Sequence, residues 1–273
     1  MKIQYLGTGA AEGIPAVWCD CMVCRKVRKT MGRDFRTRSQ ALIDDRLMVD
    51  FPPDAYWHMI KYGLSYHDLK NVIFTHSHQD HFYPEEFNMR STIYAHGITE
   101  PVHVWGNEEI LKRLENVPEI MIPQRVDLHK LTEYESVTMD GFCVTPLRAH
   151  HDPKENCLIF IIEKSGRRML YGNDTGVWPD ETWDFIERNR THFDLVSMDC
   201  TMGSQSESYC GHMGVKDVKN TVARLWEDGL VDHNTKFVVT HFSHNQYIFY
   251  DELTRMLEED HILVAYDGFC LEF

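Results

Sequence analysis

Basic residues are scarce in this 273-residue chain: 28 Lys and Arg stand against 42 Asp and Glu, a formal net charge of −14. A surface of that sign repels polyanions and argues against a broad nucleic-acid footprint. No stretch approaches the roughly 18 uninterrupted apolar residues of a membrane span. The opening MKIQYLGTGA lacks the charged-then-apolar plan of a secretory signal, which points to the cytoplasm. Low-complexity tracts, long Ser/Gly/Pro linkers and fixed-period repeats are missing, so one domain over residues 1–273 is expected. Nucleotide and serine-hydrolase signatures are missing as well. Gly7, Gly9 and Gly13 miss the G-x-G-x-x-G spacing, Pro15 stands where the following helix should run, and there is no Walker loop or G-x-S-x-G elbow.

What the chain does have is sixteen histidines, several close together, and eight cysteines. In a reducing compartment those thiols read as buried residues or metal ligands rather than disulfides. Short β-rich runs recur at 3–6, 41–44, 47–50, 72–75, 102–105, 143–147, 158–163, 169–172, 195–199, 237–240 and 262–265. Helical spacing appears from Asn107 to Glu115, Pro179 to Arg188, Val215 to Trp226 and Asp251 to Glu258. Strands with interspersed helices, the latter concentrated toward the end, predict a layered α/β sandwich with helices over the sheet faces.

The densest chemistry is VIFTHSHQDHF, which puts His76, His78, Asp80 and His81 on a tight loop directly after a β-rich run. Imidazole and carboxylate suit borderline divalent metals. One catalytic ion needs three protein ligands and an open position for water, so four such groups can begin to serve a second ion.

HxHxDH directly after a strand resembles the metallo-β-lactamase superfamily. The resemblance implies an αββα sandwich with a binuclear metal site at the sheet edges. Further ligands are then implied at strand ends. They are one histidine of LRAHHDP, with His151 preferred over His150, Asp174 in LYGNDTG as the bridging carboxylate, and His241 in FVVTHFSH. Asp50 in LMVDFPPD matches the aspartate before the motif and is read as orienting a ligand rather than binding metal. Two ions, zinc or manganese, would carry a bridging hydroxide, with Asp80 or His212 managing protons. His212 precedes the amphipathic helix at Val215, and a neutral-range imidazole suits acid–base work.

WCDCMVC supplies Cys19, Cys21 and Cys24, one thiol short of a tetrahedral zinc site. His244, three residues past His241, is the candidate fourth ligand of one structural zinc. With the LGTGAAEGIPAVWCDCMVC opening, this pairing resembles the PhnP-like phosphodiesterases, which hydrolyse a cyclic phosphate of phosphoribose. Cys143, Cys157, Cys200 and Cys270 are expected to be buried, and Cys210 lies in a polar loop. Residues 82–95 are expected at the pocket mouth, and Arg38 and Ser39 as either phosphate contacts or a solvated loop.

The reading is therefore a metal-dependent phosphodiesterase acting on a small anionic phosphodiester, cyclic ribose phosphates among the candidates, in a chain for which a homodimer stays open. The alternatives are a tRNase Z-type RNA endonuclease, a thioester or lactone hydrolase, and a non-enzymatic metal-binding scaffold. The first needs a basic RNA-binding surface that the −14 charge does not offer. The last would be favoured by lost ligands, and none is lost.

Overall fold

The computed structural model describes residues 1–117, 125–204 and 211–273. In chain order the first part contains β1 (Lys2–Gly7), α1 (Met22–Thr30), β2 (Gln40–Ile43), β3 (Leu47–Val49), α2 (Ala55–Tyr62), β4 (Asn71–Ile73), β5 (Val102–Gly106), α3 (Glu108–Glu115) and β6 (Val126–Lys130). The rest contains β7 (Val137–Met139), β8 (Phe142–Arg148), β9 (Leu158–Lys164), β10 (Arg167–Gly172), α4 (Asp180–Arg188), β11 (Leu195–Asp199), α5 (Val215–Glu227), β12 (Lys236–Thr240), α6 (Tyr250–Leu257), β13 (Ile262–Val264) and β14 (Phe269–Glu272).

Two seven-stranded sheets result, ordered β14-β1-β2-β3-β4-β5-β6 and β13-β12-β11-β10-β9-β8-β7. Strands alternate their side chains between faces, and the burial follows that period. Leu158, Phe160 and Ile162 of β9 enter a layer shared with Ile3, Ile43 and Val49 of the first sheet, whereas Ile159 and Ile161 face the opposite way. That outer side is covered by α5 through Val218, Val222 and Leu225, and by α4 and α6. On the other sheet α2 and α3 cover Leu42, Met48 and Val104 with Ala55, Ile110 and Leu114. Helix, sheet, sheet, helix is the αββα sandwich.

All eleven expected strand runs fall on strands, and the four helical stretches on α3 to α6. Asn107 caps α3 by accepting from the Ile110 N–H at 3.0 Å. The strands not foreseen are β6, β7 and β14, which are short and partly exposed, so their composition is less apolar than that of the central strands. Helices α1 and α2 were also not foreseen, the first because its basic stretch hides a single buried stripe of Val23, Cys24 and Val27.

Two expectations are corrected. Residues 82–95 do not line the pocket described below: Phe82 and Phe87 turn into the outer core beside Phe74, and Arg90 donates to the Arg125 carbonyl. Cys157 and Cys200 are buried, but Cys143 is only half-buried and Cys270 is exposed on β14, an outer strand. Cys210 lies outside the described residues. Among the described residues no helix is long and apolar enough to cross a membrane.

Candidate active site and cysteine cluster

The loops that follow β4, β8, β10 and β12 meet at one end of the sandwich, and they bring together His76, His78, Asp80, His81, His151, Asp174 and His241. Asp174 is the hub. Its Oδ2 lies 3.1 Å from His76 Nε2, 3.0 Å from His81 Nε2, 3.5 Å from His151 Nε2 and 3.7 Å from His241 Nε2. Three ligand-type groups share it: His76, His78 and His151 on one side, Asp80, His81 and His241 on the other, and Asp199 and His212 with the same His241. His150 is turned out and exposed, its backbone held by Thr175 and Gly176.

Each imidazole is held from behind. His81 Nδ1 meets Asp50 at 2.7 Å, His241 Nδ1 meets Thr201 Oγ1 at 2.7 Å, and His76 Nδ1 meets Thr75 Oγ1 at 3.0 Å. His78 Nε2 meets Asp152 at 3.2 Å and His151 Nδ1 meets the Gly211 carbonyl at 3.3 Å. Outward partners of this kind fix which nitrogen points inward. The inner nitrogens then face one another, His81 against His241 at 3.2 Å and His78 against His151 at 3.1 Å, while the buried His76 Nε2 faces Asp174 Oδ2. Ligand atoms around a tetrahedral ion at about 2.1 Å stand about 3.4 Å apart. The donor set therefore fits two divalent cations sharing Asp174.

The backbone is bent to make this possible. Asp50, Asp174 and His241 take positive φ of 64°, 56° and 64°, a region non-glycine residues seldom occupy and one that clusters at functional sites. Gly211 (φ 76°) lies so close to His151 that a Cβ would sit 2.6 Å from its Cα.

For the protein groups alone, burial and the charge on His81 push the His76 imidazole down to about 3. Burial favours a neutral Asp174, yet the charges of His241 and His151 with hydrogen bonds from His212 and His76 hold it well below the usual carboxylate range. His212 Nδ1 sits 3.1 Å from Asp174 Oδ1 and 3.1 Å from Asp199 Oδ2. Burial alone would lower it, but Asp199 and then Asp174 raise it to about 11.

Asp199 was missed by the sequence reading. It also fixes Thr201 and the Met213 N–H, so it supports His241 and His212 together. The only signal was its place at the end of a strand, which Asp50 and Asp174 nearly share. Glu12 was missed too; it lines an open pocket of about 420 Å³ with Thr201, Met202, Ser243, Asn245 and Gln246. Ser243 donates to Glu12 at 2.5 Å. Arg38 and Ser39 do not line this pocket; Arg38 is tied to Asp54 at 3.1 Å and Ser39 is buried.

Cys19, Cys21, Cys24 and His244 form a second group. His244 Nδ1 lies 3.5 Å from Cys21 Sγ and 3.8 Å from Cys19 Sγ, near the roughly 3.6 Å expected between nitrogen and sulfur on tetrahedral zinc. Burial pushes Cys21 up, but N–H donation from Cys24 and contacts with Cys19, Cys24 and His244 bring its thiol down to about 6. A thiolate-prone sulfur at a helix start fits zinc; Cys21 caps α1 by accepting from the Cys24 N–H.

The model of the beta-lactamase superfamily domain matches residues 46–242. The chain belongs to that superfamily. Its structure is similar to a diphosphatase from the PhnP family (TM-score 0.75, 22% identity, covering 100% of this chain and 97% of that one). It is also similar to zinc-bound PqqB from Methylobacterium extorquens (TM-score 0.74, 17% identity, covering 100% of both chains). Among curated proteins an octanoyltransferase of Porphyromonas gingivalis is 35% identical over 85 residues, 30% of this chain. The chain spans 16% of the length of that relative.

Proposed function

We propose that this member of the beta-lactamase superfamily is a metal-dependent hydrolase, and more narrowly a phosphodiesterase acting on a small phosphodiester. One observation carries the reading: two three-residue ligand groups share Asp174 at the base of an open pocket, with His212 beside the shared carboxylate. Divalent ions held by these groups would lower the pKa of bound water toward about 7 and neutralise charge on a phosphoryl group.

The protein's own part follows from the geometry. Asp50, Thr75, Asp152 and Thr201 keep the imidazoles aimed inward, so the site is set before substrate arrives. His212, held between Asp174 and Asp199 at 3.1 Å from each, is placed to give a proton to the departing oxygen. Asp80, buried against His81 and His241, stays ionised and balances the charge of that side.

The pocket walls narrow the substrate. Thr201, Ser243, Asn245, Gln246 and Glu12 offer a hydroxyl-and-amide surface with one carboxylate, and no Lys or Arg is among the described lining residues. Such walls favour a singly charged diester with hydroxyl-bearing substituents, a cyclic ribose phosphate among them, over a polyphosphate or an RNA tract. The test is turnover of a chromogenic aryl phosphodiester by protein reconstituted with Mn²⁺ or Zn²⁺, beside thioester, lactone and RNA substrates. Diester cleavage above the other three supports the reading; dominant thioester or lactone cleavage overturns the substrate class.

A further inference from the structure

A third group of ligand-type side chains stands apart from both clusters. Strands β5 and β6 run parallel, with His103 opposite Asp127 and Trp105 opposite His129. Successive strand residues alternate faces, so these four share one face, while Val102, Val104, Val126 and Leu128 pack on the other with α3. Trp105 stacks on the His129 ring, centroids 4.0 Å apart at 17° between planes. That contact holds the imidazole edge toward His103, whose Nδ1 is 3.0 Å from His129 Nε2. Asp127 Oδ2 lies 3.5 Å from the same His103 nitrogen.

We propose that His103, Asp127 and His129 form a further zinc-type metal site that cross-links the edge strand β6 to β5. Three ligand atoms lie within 4.8 Å of one another, and the 3.0 and 3.5 Å separations bracket the roughly 3.4 Å expected around tetrahedral zinc. Two imidazoles with one carboxylate select a borderline divalent cation; Ca²⁺ and Mg²⁺ prefer all-oxygen shells. Both histidines and Asp127 are half-buried, which leaves the fourth position to water. Trp105 supplies the rigid wall that a surface histidine pair otherwise lacks. The bound ion would join β6, which among the described residues pairs with β5 alone, to the sheet interior. None of this depends on the hydrolase reading.

The test uses the full chain stripped by chelator and titrated with Zn²⁺, for wild type, Asp127→Asn and His129→Ala. Each variant is expected to bind one ion fewer per chain, to lose part of the zinc-dependent rise in Tm, and to keep the metal-dependent turnover of wild type. Asp127→Asn preserves shape, so its loss of an ion cannot be blamed on misfolding. Zinc anomalous diffraction should place a peak between the three side chains at micromolar metal. Unchanged stoichiometry in both variants, or a peak appearing only at millimolar zinc, overturns the site.

Discussion

The Asp174 cluster and the cysteine cluster meet in one loop, His241 serving the first and His244 the second, yet they are built in opposite ways. The Asp174 cluster gathers side chains from four loops spread between residues 76 and 241, two of them, Asp174 and His241, on left-handed backbone. Each of its imidazoles is buttressed by a group the sheets or their flanking loops hold in place. The cysteine cluster takes three of its four groups from residues 19–24, just ahead of and within α1. The first is positioned by the fold and stores backbone strain; the second ties the loop ahead of α1 to the loop that follows β12. Through Ser243 and Glu12 that loop also forms a wall of the pocket.

Removing one member from each cluster breaks the comparison in different places. His76→Ala should cost turnover on the order of a thousandfold or more, as loss of a principal charge-organising group does. It should also shed active-site metal while circular dichroism and Tm stay close to wild type; full turnover in this variant would contradict the assignment. His212→Asn should lower turnover about a hundredfold or more with metal content unchanged, the signature of proton transfer rather than ligation. Metal loss in parallel with activity would instead make His212 a ligand.

Cys21→Ala reverses the pattern. It should lose one zinc and lower Tm by on the order of 10 °C, with turnover reduced only as far as the Glu12–Ser243 wall loosens. An unchanged Tm and zinc content would remove the structural role. The smallest effect is one of pH and sits in neither cluster. His58 is buried on α2 between Thr37 and Gln40, and burial pushes it from 6.5 down to about 4. Below about pH 6.5 the unfolded chain takes up a proton that the folded one refuses. Stability is therefore complete above that pH and falls toward pH 4, by at most about 3 kcal/mol. Chemical denaturation across that range should show the slope, and His58→Gln should flatten it.

The two clusters also differ in how far the sequence discloses them. HxHxDH and the cysteine run are dense in the chain, so local spacing alone points to metal. Asp174, His151 and His241 are legible only because each follows an apolar strand run and matches a family pattern. His151 and His150 are told apart by the turn geometry that Thr175 and Gly176 impose on the backbone. Asp199 carries no motif, and its importance emerges when β11 sets it beside β12, two strands adjacent in the sheet but far apart in the chain. The His103, Asp127 and His129 group depends on the register of β5 against β6, and β6 was itself invisible as a strand.

The central claim is that the Asp174 cluster binds metal to cleave phosphodiesters while the cysteine cluster binds zinc to hold structure. The most direct test titrates chelator-stripped protein with Mn²⁺ and follows cleavage of a chromogenic aryl phosphodiester, with the cysteine site filled beforehand by stoichiometric zinc. Turnover should be absent in the zinc-primed protein and should rise with manganese until the two positions at Asp174 are filled. Full turnover before manganese is added, or none at saturating metal with both ions bound, would contradict the account.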